Sequence, residues 1–171
     1  TIGPSIDNGF YYDFDLGDDT ISENDFSKIE KKFMFFASQK NEFKIRFLSK
    51  LDAEEYYKKE KNPYKLELIE GLKDGEISFC DHSNFSDLCK GGHIPHTGLV
   101  KAIKLTNIAG AYWKGDEKNK QLTRIYGISF PKQKLLNEYN TLIEEANKRD
   151  HRKIGKELNL FTFSSRVGLG L

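Results

Sequence analysis

The sequence predicts an α+β domain, a mainly antiparallel sheet with packed helices, followed by a long C-terminal helix. Three observations carry that expectation. Short β-prone runs at 76–80, 99–108 and 122–130 are separated by glycine-rich turns at 91–92, 110 and 115. Helical and strand-like stretches mix without a regular βαβ rhythm, which argues against a parallel sheet. The stretch 132–158 carries Leu135, Leu136, Tyr139, Leu142, Ile143 and Ala146 as an apolar stripe behind Pro131, and proline favours helix starts.

Gly3-Pro4 opens a turn, and Gly9-Phe10-Tyr11-Tyr12-Asp13-Phe14-Asp15 follows as an aromatic strand. Ser22 with Asp25 three residues on forms a capping-box-like start. Behind it Phe26, Ile29, Phe33, Phe36 and Ala37 recur at helical spacing and predict one buried face. In 42–48, Phe43, Ile45 and Phe47 alternate with Lys44 and Arg46, predicting a half-buried strand. The stretch 50–72 reads as helix broken at Asn62-Pro63, because proline disfavours helix in the residue before it. Gly71 and Gly75 bracket the next turn.

The chain has 171 residues, 37% apolar and 31% charged, with 13 Phe and 8 Tyr. That composition suits a globular domain with its own core and excludes a disordered chain. A net charge of +1 does not exclude an RNA partner, since basic patches operate locally. Two cysteines are too few for a disulfide scaffold and fit a reducing cytoplasm. No apolar run approaches the roughly 20 residues that span a bilayer. The ending Gly168-Leu169-Gly170-Leu171 reads as that of a fragment.

Reactive side chains concentrate between 80 and 96: Cys80, Asp81, His82, Asp87, Cys89, His93 and His96. One reading is structural, a buried thiol with hydrogen-bonded imidazoles. A second is a zinc knuckle of Cys80, His82, Cys89 and His93, although this spacing is not that of a usual finger. A third is a functional site on Asp87-Leu88-Cys89-Lys90-Gly91-Gly92-His93. There the paired glycines permit a sharp turn that brings Cys89 and His93 together. Composition and spacing leave all three open. Lys65 reads as a solvated lysine, Trp113 as core, and Lys148-Arg149-Asp150-His151-Arg152-Lys153 as a solvated helix face able to touch phosphate.

Five segments in order narrow the choice. They are Ile2-Gly3-Pro4 with Asn8-Gly9-Phe10-Tyr11-Tyr12-Asp13; Asp87-Leu88-Cys89-Lys90-Gly91-Gly92-His93-Ile94-Pro95; Ala109-Gly110-Ala111-Tyr112-Trp113-Lys114-Gly115-Asp116; Leu122-Thr123-Arg124-Ile125-Tyr126-Gly127; and 146–155. Together they closely resemble the second N-terminal, editing domain of bacterial threonyl-tRNA synthetases and the linker helix after it. The resemblance implies an editing domain at 1–131, a linker helix at 132–158 and the start of the catalytic core at 159–171. It implies hydrolysis of seryl-tRNA formed in error on threonine tRNA.

The family's Cys-x3-His pair falls on Cys89 and His93, its aspartate on Asp87, its lysine on Lys65 and a site tyrosine on Tyr12. Gly3, Gly91 and Gly92 correspond to substrate-binding positions. The family usually has Arg-Gly-Pro where this chain has Lys90-Gly91-Gly92, and its HxxxH pair would lie upstream of Thr1. The piece by itself is therefore expected to be inactive. No metal is expected in it, with Cys89 and His93 the ligands if there is one. ATP, magnesium and zinc are implied for the catalytic core. The implied partners are the 3′ end of threonine tRNA carrying serine, the rest of the synthetase and, for the whole enzyme, a second copy, all in the cytoplasm. Two alternatives remain: an editing module like that of alanyl-tRNA synthetases, and a non-catalytic RNA-binding or zinc-stabilised module.

Overall fold

In a computed structural model that describes residues 1–160, the element order is mixed and every strand pairing is antiparallel. The chain runs β1 (Ser5–Ile6), β2 (Gly9–Phe14), α1 (Phe26–Ser38), β3 (Lys44–Phe47), α2 (Lys50–Lys59) and α3 (Pro63–Glu70). It continues through β4 (Ser78–His82), β5 (Phe85–Leu88), β6 (Ala102–Tyr112), β7 (Gln121–Phe130), α4 (Gln133–Lys148) and α5 (His151–Glu157). One sheet has the order β1-β2-β7-β6 and the other β3-β4-β5. The α+β expectation holds.

Local chemistry sets the helix starts. Ser22 and Asp25 form the expected capping box, with the Ser22 N–H donating to Asp25 Oδ2 at 3.0 Å, and a short 3-10 turn leads into α1. Ser49 caps α2 by accepting from the Asp52 N–H. Asn62 caps α3 by accepting from the Lys65 N–H at 3.2 Å, and Pro63 occupies its first turn, where no N–H is needed. The expected break at Asn62-Pro63 is thus a boundary between two helices.

The core lies where α2 and α3 cover the three-stranded sheet. Ala53, Tyr57, Ile69, Ile77 and Phe79 are buried there, with Leu48, Leu66, Leu72 and Leu88 packed around them. In the other sheet Asp13 on β2 faces Arg124 on β7 in register and receives two guanidinium bonds of 2.7 and 2.8 Å. The guanidinium also lies 3.8 Å over the Tyr11 ring. A buried carboxylate is tolerable only when paired in this way.

α3 is moored to this second sheet along its length. The Tyr64 hydroxyl donates to Asp15 Oδ2 at 2.6 Å, and Trp113 Nε1 donates to Glu67 Oε2 at 2.7 Å. Lys114 also pairs with Glu67, and Lys120 with Asp15.

Several expectations need correction. Asn84-Phe85-Ser86-Asp87 lacks a clear alternation and does not predict a strand, yet pairing with β4 makes β5 one. Gly110 lies inside β6, which continues to Tyr112, and is no turn; a Cβ there would come within 2.6 Å of the Gln121 side chain. β3 is an edge strand, and Ile45 and Phe47 are exposed rather than half-buried. In α1 only Ala37 is buried, while Phe33 and Phe36 remain accessible.

The single helix expected over 132–158 is two. α4 ends at Lys148, and the Asp150 side chain caps α5 by accepting from the Arg152 N–H at 2.9 Å. Aspartate competes with the helical backbone for its own hydrogen bonds, which is why it interrupts here. α4 and α5 belong to a compact unit separate from Thr1–Lys132. Residues 161–171, most of the expected start of a catalytic core, lie outside those described. No helix among the described residues is long and apolar enough to cross a membrane.

Candidate functional site

Four elements converge on one carboxylate. Asp87 comes from the edge strand β5, Lys65 from the first turn of α3, Tyr57 from α2 and Tyr12 from β2 of the other sheet. The Lys65 ammonium lies 2.9 Å from both carboxylate oxygens of Asp87. The Tyr57 hydroxyl donates to Asp87 Oδ1 at 2.7 Å and accepts from the Leu88 N–H at 2.7 Å. The Tyr12 hydroxyl reaches Asp87 Oδ2 at 3.4 Å. Lys65 is not the solvated lysine that composition suggests: the residue is 4% exposed. A cation so enclosed requires a fixed counter-charge, and Asp87 supplies it.

Both tyrosines stay protonated donors at neutral pH. Burial, reinforced by the Asp87 charge, pushes the Tyr12 hydroxyl up to about 12 and raises that of Tyr57 further still. Gly3 explains how Tyr12 gets close enough. A Cβ at Gly3 would stand 2.1 Å from the Tyr12 ring and 2.9 Å from the Tyr11 carbonyl oxygen, so only glycine lets the chain pass.

Cys89 follows Asp87 by two residues, so the strand's period puts both side chains on the same side. Its backbone N–H donates to the Ser78 carbonyl at 2.9 Å, which continues the β4–β5 pairing. Beyond it Gly91 and Gly92 adopt φ of +95° and +79°, left-handed conformations that side-chain-bearing residues avoid. This turn brings His93 back, with Nε2 3.4 Å from Cys89 Sγ, and the Gly91 N–H points at the same sulfur from 3.3 Å. The far end of the loop is tied down where the Phe43 N–H meets the Pro95 carbonyl at 3.3 Å. The thiol–imidazole pair faces solvent on one side, with Cys89 half-buried and His93 exposed.

The structure therefore brings Lys65, Tyr12 and Asp87 into direct hydrogen bonding, with the Cys89–His93 pair one strand step away. They form one polar cluster, buried at Lys65 and open to solvent at His93. A cavity of about 430 Å³ nearby is apolar and lined by Phe33, Phe36, Phe43, Phe85, Ile94 and His82 among others. Phe43 is common to both, since its ring packs against His82 at 5.1 Å and His93 at 5.0 Å.

The four-ligand zinc knuckle is not formed. Phe43 packs against both imidazoles, and among the described residues no three His, Cys, Asp or Glu side chains group as ligands. Sequence reasoning missed Tyr57. A tyrosine beside Tyr56 on a helix reads as core packing, and no local signal shows that its hydroxyl reaches Asp87.

Residues 77–126, which include Asp87, Cys89 and His93, match the threonyl and alanyl tRNA synthetase second additional domain. Over all 171 residues the chain is 63% identical to a threonine–tRNA ligase of Flavobacterium psychrophilum, covering 26% of that protein. It is 58% identical over 170 residues to one from Cytophaga hutchinsonii and 52% identical over 170 residues to one from Bacteroides thetaiotaomicron, again 26% of each. The chain spans about a quarter of the length of these relatives. It belongs to the threonyl-tRNA synthetase family, and within it carries that family's second additional domain.

Proposed function

We propose that this chain is the proofreading part of a threonyl-tRNA synthetase, an ATP-dependent ligase, and that it hydrolyses seryl ester from threonine tRNA. The observation that carries the reading is the buried Lys65–Asp87 pair set one strand step from the Cys89–His93 contact. A buried ion pair beside a thiol and imidazole open to solvent gathers cation, carboxylate, nucleophile and base within reach of one ligand.

The chemical need is clear. Serine lacks one methyl of threonine, and a methyl distinguishes substrates by only about 10–200-fold in binding. A second site that clears the smaller amino acid supplies the rest. Water adds to the ester carbonyl, the bond to the ribose oxygen breaks, that oxygen takes a proton, and serine leaves free tRNA. Lys65 has three N–H donors, of which the Asp87 carboxylate takes two, so one serves the substrate or the departing ribose oxygen. Cys89 and His93 position water or the 3′ end, together with an upstream HxxxH helix implied by family resemblance. Tyr12, Gly3, Gly91 and Gly92 shape the ground on which the terminal nucleotide sits.

On this reading 1–131 is the editing domain, and 132–158 leads toward a catalytic core beginning near 159. ATP, magnesium and zinc belong to that core. The enzyme works in the cytoplasm as a homodimer. The editing site needs no metal of its own.

A deacylation assay with mischarged seryl-tRNA and correctly charged threonyl-tRNA tests the proposal. The polypeptide extended upstream should release serine and spare threonine, and the 171-residue piece alone should do neither efficiently. Cys89→Ala should depress the rate more than Lys90→Ala, whose charge contributes phosphate attraction. Equal loss of both amino acids, or release of alanine in preference to serine, would overturn the assignment.

A further inference from the structure

We propose that Tyr57 is a positioning residue of this site, its hydroxyl fixing the Asp87 carboxylate that in turn fixes the Lys65 ammonium. The inference rests on the proofreading function proposed above and adds to it a residue that family resemblance does not supply.

The geometry separates Tyr57 from its neighbours. β5 is an edge strand, so its outward backbone groups lack strand partners. Two adjacent tyrosines of α2 each bond one of them. The Tyr56 hydroxyl donates to the Ser86 carbonyl at 3.2 Å, and the Tyr57 hydroxyl accepts from the Leu88 N–H at 2.7 Å. Closing the edge is thus a task both share.

Only Tyr57 does more. Having accepted from Leu88, its hydroxyl has its proton to give, and it gives it to Asp87 Oδ1 at 2.7 Å. The Leu88 N–H also contacts that oxygen at 2.9 Å. Oδ1 is therefore held by two donors on the strand side, while Lys65 and Tyr12 approach from α3 and β2.

The Tyr57 ring cannot swing away, because it stacks on Phe79 with centroids 5.4 Å apart and the residue is 3% exposed. A rigid ring thus delivers a fixed hydroxyl to a carboxylate on a strand end, and the carboxylate aims a flexible lysine. Without the hydroxyl, Asp87 gains rotational freedom about its side-chain torsions and Lys65 loses a single resting place. The ammonium would remain paired but less well aimed.

The test uses the full-length synthetase and three variants: Tyr57→Phe, Tyr56→Phe and Lys65→Ala. Tyr57→Phe should lower kcat for seryl-tRNA hydrolysis by about tenfold or more, a usual loss for a group that orients a reacting one. KM should stay within about twofold, because no contact with tRNA is removed. Tyr56→Phe, which loses the bond to the Ser86 carbonyl on the same edge, should hydrolyse at the wild-type rate. Adding Tyr57→Phe to Lys65→Ala should produce no further loss, since the one acts through the other.

Equal rate losses in the two tyrosine variants would show that Tyr57 merely closes the edge and would overturn the proposal. So would a Tyr57→Phe enzyme with unchanged kcat, or a loss that adds in full to that of Lys65→Ala. A wild-type enzyme that leaves seryl-tRNA intact would instead overturn the proofreading function on which the proposal stands.

Discussion

Lys65 Nζ sits 2.9 Å from the Asp87 carboxylate with the lysine 4% exposed, so the ammonium depends on that carboxylate for its counter-charge. Removing one partner should be costly. Asp87→Ala should destabilise the domain by about 3–5 kcal/mol, because it leaves a buried ammonium uncompensated. The double variant Lys65→Met with Asp87→Leu should recover much of that loss in a urea titration while remaining unable to hydrolyse seryl-tRNA. Full additivity of the two single losses would refute the coupling.

Gly3→Ala tests the close approach of the first turn to Tyr12. The new methyl would meet the Tyr12 ring at 2.1 Å. Overpacking of this kind costs about 1–3 kcal/mol. The ring should shift away from Asp87, and the loss of hydrolysis should be as large as in Tyr12→Phe. A Gly3→Ala protein with wild-type melting and activity would show that the turn yields freely.

Trp113 is the chain's one tryptophan and gives a direct probe of how α3 is held. Its indole is 4% exposed, and Nε1 donates to Glu67 Oε2. Glu67→Ala should leave that N–H without its acceptor at a cost of about 1–3 kcal/mol. Fluorescence emission should move to longer wavelength as water reaches the ring. Hydrolysis should fall as well, because α3 also carries Lys65. Unchanged emission would mean that the helix is held by its other contacts alone.

His82 provides a pH dependence with a definite sign. Burial, aided by repulsion from His93, lowers its pKa below the usual 6.5. The unfolded chain therefore takes up this proton first, and stability falls as pH drops below about 6.5 toward the folded pKa. The melting temperature should decline between pH 7 and pH 5, and His82→Gln should flatten the decline. A steeper fall in the variant than in the wild type would reverse the assignment.

Much of this protein is written locally. Ser22 with Asp25 and Asn62 with Pro63 define their elements through bonds spanning a few residues, and the aromatic run of 9–14 marks a strand by residue type alone, so all three are legible without a structure. The Gly91-Gly92 turn and the Cys89–His93 spacing were legible for the same reason. Where local chemistry is ambiguous, tertiary pairing decides. β5 becomes a strand only by pairing with β4, and the helix expected over 132–158 yields at Asp150 to a hydrogen bond its side chain prefers.

The amphipathic pattern of α1 predicted a buried face for Phe33 and Phe36, yet periodicity says only that a face is apolar and not what covers it. Lys65 shows the boundary most clearly. Its sequence neighbourhood is that of any surface lysine; it is buried because Tyr64 and Glu67 on either side moor α3 to a sheet whose strands lie far away in sequence. Tyr57 was invisible for a related reason, since a hydroxyl's partner 30 residues on depends on where a ring is clamped. Sequence by itself determined which residues can do chemistry and how the chain turns between them. Tertiary structure alone decided which of them meet, because side-chain pairing over such separations depends on packing of whole elements, a property no local pattern encodes.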